Sequence, residues 1–458
     1  MANCSSKNYT IKELCKAGMI NQAELDILFE DKKSWYTISN GKEDWDNSKD
    51  KITEFTSAFS KVLSYMKTQK MDLRYIHFPH FDIDKYNLND NSVIFSKCIF
   101  EGASYFAGIR LGANSQFFKT IFNGEVDFSH AIFTGYVNFN EASFAGEVFF
   151  YQSTFNGNVD FNQATFKDDV DFSETQFDHQ ASFKKTIFCN YANFEGATFA
   201  KKFSLYNAKI KKFNLLNTFF DDTNLLNISA YNNDLENGKV LTKDNFVNKE
   251  TARLIKGHLD SHNNITESNK YFALEQELYF DELKDPNSTE PNRWQTITTL
   301  FLNKYVSHFG TDWLRSLIVL ILFGYIVMIG YMAFDHIGWL VDDKDKSVIH
   351  FNLYQYLPLT LTMISGWGFL YRYTFTKDIY LILIAIPFIV LAFFIADANN
   401  LEIRTFTNYI VQITNPIGAF KDVELYKGIE FYATIVRITI AVMIYQFIVA
   451  FRNNTRRS

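Results

Sequence analysis

The sequence predicts a parallel β-solenoid followed by a helical domain, and three observations carry this prediction. Apolar residues recur in alternating steps of five and six from Phe95 to Ile210, which gives an eleven-residue period. Small or β-branched residues stand two positions before most of them, and long apolar runs begin only after residue 312. A fixed period is typical of a solenoid, because each unit buries its apolar side only by stacking on its neighbours.

The first element of the pattern is an aromatic ladder. Steps of five and six fit neither the period of a helix nor that of a long strand, so each step is a short extended segment followed by a corner. Four such segments would close one coil of 22 residues. Period-two placement turns the residue two before each Phe inward as well. The predicted core ladder includes Phe128, Phe133, Phe139, Phe144, Phe155, Phe161, Phe166 and Phe172.

The second element is the extra residue of each six-residue step. Residue types that tolerate a positive φ share this phase, and we therefore expect left-handed corners there. Ala113 and Lys201 are exceptions to the pattern. The residues concerned are Gly102, Gly124, Gly135, Gly146, Gly157, Asp168, His179 and Asn190.

These repeats, such as Ala142-Ser-Phe144 followed by Gly146-Glu-Val148-Phe-Phe150, resemble the pentapeptide-repeat family in a variant with alternating five- and six-residue units. The resemblance implies a right-handed, quadrilateral parallel β-helix with an inward Phe or Leu on each side. After Ile210 the step becomes a plain five. Fold-level likeness does not name an activity.

Four domains are predicted along the chain. Residues 1–90 form a helical N-terminal cap, with Phe55, Phe59 and Val62 on one helical stripe. Residues 91–230 form the β-helix, and residues 231–311 form a helical coupler that ends in an interfacial helix. Residues 312–458 form a helical transmembrane domain.

The transmembrane prediction rests on apolar runs at 313–334, 379–396 and 431–451, each long enough to cross a bilayer. The weaker run 351–371 is counted as a fourth span, because an even number places the arginine-containing tail and the N-terminus, which lacks a signal peptide, in the cytoplasm. The sequence 269–275 and the C-terminal run also resemble bacterial pentapeptide-repeat proteins with a multi-span membrane domain. The expected location is the bacterial inner membrane, with the solenoid and both termini cytoplasmic.

The apolar runs also contain polar and small residues that admit two interpretations. The sequence 364–368, Ile-Ser-Gly-Trp-Gly, superficially resembles an ion-selectivity turn, but small residues that let helices pack closely are the favoured interpretation. Polar groups within a span are functional suspects, although we favour structural roles for them. The candidate pore or helix-packing residues are Thr360, Thr362, Gly366, Trp367, Gly368, Arg437 and Gln446.

Composition argues against several classes of function. The net charge of −6 argues against a nucleic-acid partner along the whole chain. The four cysteines lack metal-ligand spacing and indicate free thiols in a reducing compartment. No phosphate-binding glycine loop, nucleophile elbow or HExxH motif occurs in the sequence. We therefore expect no cofactor, no metal and no enzymatic activity.

The solenoid surface is predicted to be electrically divided. Residues 120–180 carry ten carboxylates and one Lys, whereas residues 181–212 carry seven Lys and one Glu. A solvated face or a protein-binding face is the favoured interpretation. The leading hypothesis is a membrane-anchored protein whose β-helix binds an unknown protein and whose helices contact lipid and anchor it or transmit a signal. The alternatives are a homo-oligomeric ion channel or pore-forming effector, and an acidic rod that mimics DNA.

Overall fold

A computed structural model describes residues 10–39, 42–45, 48–66, 70–86, 88–231, 240–288, 290–336, 353–376, 381–382, 384–388, 390–391 and 429–455. The chain forms two compact units, Met1–His258 and Leu259–Ser458.

The first unit begins with three helices and a short hairpin. These are α1 (Ile11–Lys16), α2 (Gln22–Phe29), the antiparallel strands β1 (Thr37–Ser39) and β2 (Lys42–Asp44), and α3 (Lys49–Tyr65). The Thr10 and Asn21 side chains begin α1 and α2 with reciprocal capping boxes, which satisfy amide groups that a helix start leaves unpaired.

Helix α3 covers the N-terminal end of the solenoid. Phe55, Phe59 and Val62 are buried along one face of this helix. The Phe59 ring lies 5.2 Å from the Phe78 ring and 4.8 Å from the Tyr86 ring, both in edge-to-face geometry. The apolar stripe of α3 therefore closes an end that would otherwise leave aromatic rings in water.

Short parallel strands follow without a break in the pattern. They are β3 (Lys70–Asp72), β4 (His77–Phe78), β5 (Phe81–Asp82), β6 (Ser92–Ile94), β7 (Ile99–Phe100), β8 (Ser104–Tyr105), β9 (Arg110–Leu111), β10 (Ser115–Gln116), β11 (Ile121–Phe122), β12 (Val126–Asp127), β13 (Ile132–Phe133), β14 (Val137–Asn138), β15 (Ser143–Phe144), β16 (Val148–Phe149), β17 (Thr154–Phe155), β18 (Val159–Asp160), β19 (Thr165–Phe166), β20 (Val170–Asp171), β21 (Gln176–Phe177), β22 (Ala181–Ser182), β23 (Ile187–Asn193), β24 (Thr198–Ser204), β25 (Lys209–Asn214), β26 (Phe219–Asn224) and β27 (Ser229–Ala230).

Pairing between coils makes four stacks of strands. Val126 pairs with Val148, and Ile132 pairs with Thr154, so each residue meets the residue 22 positions further on. The four stacks begin with β3, β4, β5 and β9, and each adds one strand per coil. A parallel β-solenoid with four sides is therefore confirmed.

The interior is a continuous stack of aromatic rings. All 22 ladder positions from Phe95 to Ile210 are at most 1 % exposed. Along one column the Phe139 and Phe161 rings are parallel at 4.8 Å, and the Phe161 and Phe183 rings repeat this distance. Val126, Val137 and the other residues two before each Phe are buried too, which agrees with the inward phase predicted from the repeat.

The predicted position of the left-handed corners is wrong. Positive φ occurs two residues after the ladder Phe that ends each six-residue step, at Lys119, His130, Glu141 and Gln152, with values of 53–58°. The glycine-rich phase has a different cause. A Cβ on Gly157 would lie 2.3 Å from the carbonyl carbon of Gly135 in the coil below, so these glycines permit close approach of backbones.

The last coils change their geometry. Strands β23 to β26 are six or seven residues long and continue through a corner. The register between coils falls to 21 residues at Thr198 and Phe219, and to 20 at Lys209 and Ser229. The plain five-residue step after Ile210 accounts for this, because a coil of four such steps lacks the extra residues.

Helix α4 (Lys249–Ser261) follows the last coil. The amide of Val247, just before this helix, donates to the Phe213 carbonyl at 3.2 Å, and the Leu215 amide donates to the hydroxyl of Thr251 within the helix at 2.9 Å. Ala252 and Ile255 are fully buried. These contacts satisfy backbone groups at the end of the solenoid.

The second unit is helical. The described helices with complete bounds are α5 (Ile265–Lys284), α6 (Arg293–Ser307), α7 (Trp313–His336), α8 (Leu353–Thr376) and α9 (Ile429–Thr455), and helical residues also occur between 381 and 391. Ala273, Phe280, Leu283, Leu300 and Phe309 form an apolar cluster between α5 and the α6 end.

The prediction of four transmembrane spans is wrong. Within the part of the chain that the structure describes, no helix combines the length and the apolar character needed to cross a membrane. The transmembrane domain and the multi-pass inner-membrane location are therefore not supported. Part of the apolar surface packs between helices, since the Trp313 ring lies 6.4 Å from Phe447 and 6.0 Å from Phe451. An apolar run alone does not distinguish a span from a helix that packs on others.

Candidate partner-binding surface

One side of the solenoid, which we name the acidic face, is formed by the outward residues of β8, β12, β16 and β20. The strand register places Asp127 between Tyr105 and Phe149, and Asp171 beside Phe149 on the next coil. Tyr105 is 46 % exposed. Aromatic and carboxylate side chains therefore alternate along this face at the spacing of the coils, about 4.8 Å.

A column of carboxylates borders the acidic face. Glu125, Glu147 and Asp169 stand directly before the strands β12, β16 and β20. Their backbones touch, because the Val126 amide donates to the Glu147 carbonyl at 2.9 Å and the Val148 amide donates to the Asp169 carbonyl at 3.0 Å. Three negative charges thus lie on successive coils.

Glu125 and Glu147 are both exposed, and no cationic side chain of the described residues lies within ion-pair distance of either. Like charges on neighbouring strands repel each other, which costs stability. Other surface carboxylates differ. Glu141 pairs with Lys119 at 3.1 Å, and Glu174 accepts a hydrogen bond from Gln152 at 2.6 Å.

Several of the ten carboxylates have a structural role that the sequence analysis missed. Asp127, Asp160 and Asp171 each accept the backbone amide two residues on, at 2.7–2.8 Å. These contacts are Asx-turns that fix the corner after each inward Phe. The signal was present in the sequence as an Asp or Asn directly before the Phe, as at Asn138 and Asn193.

The lysines of the last coils lie on a different part of the surface. Lys184 and Lys185 follow β22, Lys201 and Lys202 lie within β24, and Lys211 donates to the Asn190 side chain at 3.0 Å. Most of these side chains are exposed. The division of charge predicted from the sequence is therefore a division between successive coils.

A second polar site was also missed by the sequence analysis. Glu101 is only 1 % exposed, and it accepts hydrogen bonds from Tyr36 at 2.9 Å and Asn123 at 3.0 Å. His77 contacts the same carboxylate at 3.0 Å. The sequence could not reveal this group, because its members are up to 87 positions apart and follow no spacing rule.

The candidate pore or helix-packing residues lie on two helices of the second unit. Thr360, Thr362, Gly366, Trp367 and Gly368 all lie within α8. The Thr360 and Thr362 hydroxyls donate to carbonyls of their own helix, those of Leu357 and Pro358. The segment 364–368 is therefore helical, without the turn that a selectivity filter requires.

Small residues in α8 do not all mark close contacts. Gly366 is buried, but a Cβ on Gly368 would meet no atom of the described residues within 4 Å. Gln446 accepts a hydrogen bond from the Ser307 hydroxyl at 3.2 Å, which connects α9 to the end of α6. Arg437 lies within α9, and its side chain is outside the described part of the structure.

Comparison with known families agrees with the coil geometry. Residues 95–143, 139–187 and 161–209 match the family described as pentapeptide repeats (9 copies). The solenoid is a pentapeptide-repeat domain. The matched residues include the acidic face but no residue of the second unit, so the match supports neither a membrane domain nor a bacterial source. No curated protein matches the chain, and no solved structure matches it.

Proposed function

We propose that this protein is a binding protein whose pentapeptide-repeat domain holds a basic, extended segment of a partner protein along the acidic face. The observation that carries the proposal is the column formed by Glu125, Glu147 and Asp169 beside the exposed Tyr105 ring. Because the two glutamates have no cation near them in the described structure, a partner that supplies one removes their mutual repulsion.

The aromatic side chains give the face a second kind of contact. Tyr105 and Phe149 stand on alternate coils, with Asp127 between them. Arginine and lysine bind both carboxylates and aromatic rings, the latter through cation–π contacts, and their aliphatic stems cover apolar surface. A segment with two or three cationic residues would span the column, which is about 10 Å long.

The interior makes this surface rigid. Phe128, Phe150 and Phe172 lie directly beneath the face, and their rings stack at 4.8–5.0 Å. A preorganised surface loses little conformational entropy when it binds, so a modest number of charge contacts supports measurable affinity. The second unit then has the task of transmitting or presenting the bound state.

Mimicry of DNA is the weaker alternative. Asp127, Asp160 and Asp171 hold turns, so their oxygens are not free as phosphate oxygens are. Lys119 also neutralises Glu141 within the same coils. Asp169 also accepts the Tyr191 amide at 3.0 Å, so the charge most available to a partner is that of Glu125 and Glu147.

Calorimetry with defined probes tests the proposal. We expect a twelve-residue peptide of alternating Lys, Arg and Ser to bind the full-length protein, and its Glu-substituted counterpart not to bind. The double variant Glu125→Gln, Glu147→Gln should weaken binding roughly tenfold, since each charge contact contributes on the order of 0.5–1 kcal/mol. Affinity should also fall with added salt.

The matched control is Glu141→Gln, which removes one carboxylate that Lys119 already neutralises. Binding should survive this change within about twofold, because Glu141 lies outside the carboxylate column and its charge is already paired with Lys119. Equal loss in the control and the double variant would show that total charge, and not the carboxylate column, attracts the peptide. Absence of binding to the wild type at low salt would refute the proposal directly.

A further inference from the structure

The side chain of His77 lies at the junction between the first coil and the N-terminal segment. It is 5 % exposed and belongs to β4. Its Nδ1 atom accepts the Lys32 backbone amide at 3.3 Å, and its Nε2 atom lies 3.0 Å from the Glu101 carboxylate. An acceptor at Nδ1 and a donor at Nε2 define the neutral imidazole.

The same carboxylate connects the N-terminal segment to the coils a second time. The Tyr36 hydroxyl donates to Glu101 Oε1 at 2.9 Å, while Asn123 donates to Oε2 at 3.0 Å. Lys32 and Tyr36 belong to the N-terminal segment, whereas His77, Glu101 and Asn123 belong to successive coils. The segment is thus attached through a buried hydrogen-bond network that requires the neutral form of His77.

A second histidine of the first coil faces the same segment. The His80 ring lies 5.6 Å from the Trp45 ring in edge-to-face geometry, and Trp45 lies 4.7 Å from Tyr36. Burial lowers the pKa of both His77 and His80. Neighbouring cations act in the same direction, Lys32 on His77 and Lys85 on His80.

Carboxylates near the two rings oppose these effects only in part. Glu101 faces His77, and Asp31 lies 3.7 Å from His77 Nδ1 but is 68 % exposed at its side chain. Asp82 is the anion that faces His80. A proton on Nδ1 would set an N–H group against the Lys32 N–H, and an exposed carboxylate compensates poorly for that loss.

We propose that the N-terminal segment, described at residues 32–39 and 42–45, is held on the first coil by an acid-sensitive latch, in which His77 and His80 must both be neutral for the segment to stay in place. Acidification releases the segment from the first coil, while the aromatic interior of the later coils stays folded. The latch would make the accessibility of the first coil depend on the local pH.

The direction follows from proton linkage. Burial lowers the pKa of both histidines in the closed state, and release of the segment would expose them to water, so the open state would bind more protons. The closed state is therefore fully stabilised above the ordinary histidine pKa of about 6.5 and loses that stabilisation as the pH falls below it. The opening constant changes at most about tenfold per pH unit for each proton taken up.

Hydrogen exchange of the full-length protein between pH 7.5 and pH 5 tests the latch. After correction for intrinsic exchange rates, protection of the Lys32 amide should fall by more than tenfold per pH unit at its steepest, because two protons bind. The Val137 amide, which donates to Asn158 in the solenoid at 3.0 Å, should stay protected. Unchanged Lys32 protection at pH 5, or simultaneous loss at Val137, would overturn the proposal.

Two variants and a control isolate the histidines. His77→Gln keeps an acceptor and a donor without a titrating group, and His80→Gln removes one proton site without touching the network. Each variant should reduce the steepest pH dependence of Lys32 amide protection to at most about tenfold per pH unit. If His77→Gln leaves the segment open at every pH, His80→Gln still decides the question.

The control is His130→Gln, because His130 lies on an exposed corner beside Tyr151, 5.6 Å away. Wild-type behaviour is expected for this variant. A wild-type slope in both His77→Gln and His80→Gln, or a reduced slope in His130→Gln, would contradict the latch.

Discussion

Substitution of Gly157 distinguishes two explanations of the glycine-rich corners. If the backbone needed a positive φ there, Asn would replace Gly well, because Asn tolerates that region better than Ala. The structure instead requires close approach: a Cβ would lie 2.3 Å from the Gly135 carbonyl carbon and 2.7 Å from its Cα and oxygen. Gly157→Ala and Gly157→Asn should therefore destabilise the solenoid by similar amounts.

The magnitude follows from the backbone contacts at that corner. The coils would have to separate by about 1 Å to restore ordinary van der Waals contact. Such a shift stretches the Val137–Asn158 and Asn156–Phe133 backbone hydrogen bonds, now 3.0 and 2.9 Å long, beyond their normal range. Two weakened hydrogen bonds and the overpacking together cost about 3 kcal/mol.

Gly108 provides the matched control. Its φ is +66°, and a Cβ there would meet no atom of the described residues within 4 Å. Non-glycine residues such as Lys119 and His130 occupy the equivalent corners, so Gly108→Asn should cost less than about 1 kcal/mol.

Thermal unfolding followed by circular dichroism, with hydrogen exchange to assign the transition to the solenoid, measures both changes. A loss of about 3 kcal/mol corresponds to a fall in Tm of roughly 6–12 °C for a unit of this size. If Gly157→Asn were as stable as the wild type while Gly157→Ala was not, the close-approach explanation would be refuted.

Three further predictions concern the interior and the cap. Phe161→Asp should unfold the solenoid, since it places a charge where the side chain is fully buried. Asn162→Asp keeps the side-chain oxygen that accepts two hydrogen bonds, so it should leave the Tm within about 2 °C of the wild type. Equal effects of the two substitutions would mean that the predicted inward phase is wrong. Ser153→Ala should raise the unfolding free energy by about 1 kcal/mol, because the buried Ser153 hydroxyl has no hydrogen-bond partner among the described residues. Thr175→Val should lower the unfolding free energy, because the Thr175 hydroxyl donates to the Phe150 carbonyl at 2.7 Å. Burial lowers the pKa of Lys32 from 10.5 to about 8, so the folded cap binds fewer protons than the unfolded chain between these pH values. The unfolding free energy of the cap should therefore rise from pH 8 to pH 10.5. A Lys32→Met variant that retained this rise in denaturant titrations would show that Lys32 does not cause it.

The sequence was sufficient for the solenoid interior because one residue type carried the signal. Every inward position from Phe95 to Ile210 could be read from a strict spacing, and burial agrees at each of them. The corners were harder, because glycine serves both for positive φ and for close approach, and only three-dimensional distances separate the two causes.

The acidic face could be anticipated as a charge excess but not as a surface. Ten carboxylates are visible in the sequence, yet their roles depend on which coils they join. Asp171 holds a turn, while Glu147 has no cation beside it. The buried group of His77 and Glu101 was invisible for a related reason, since its members are brought together by the return of the chain after each coil.

The membrane prediction counted apolar residues along the sequence, whereas no helix of the described residues combines the length and the apolar character needed to cross a membrane. Trp313, Phe447 and Phe451 contribute to apolar runs in the sequence but meet one another between α7 and α9. Residue counts along the chain cannot show such pairing.

The register of the solenoid also determines which changes in chain length it can absorb. Deletion of residues 126–147 removes one whole coil, so Glu125 would precede Val148 and stand beside Asp169, and the carboxylate column would merely become shorter. Deletion of residues 126–136 removes only one eleven-residue period. The Phe spacing would remain intact, but every later side chain would be carried half a turn around the axis, and Glu147 would move to the side opposite Glu125. Duplications and losses of half a coil therefore let evolution relocate surface chemistry from one side of the rod to the other while the aromatic interior stays the same.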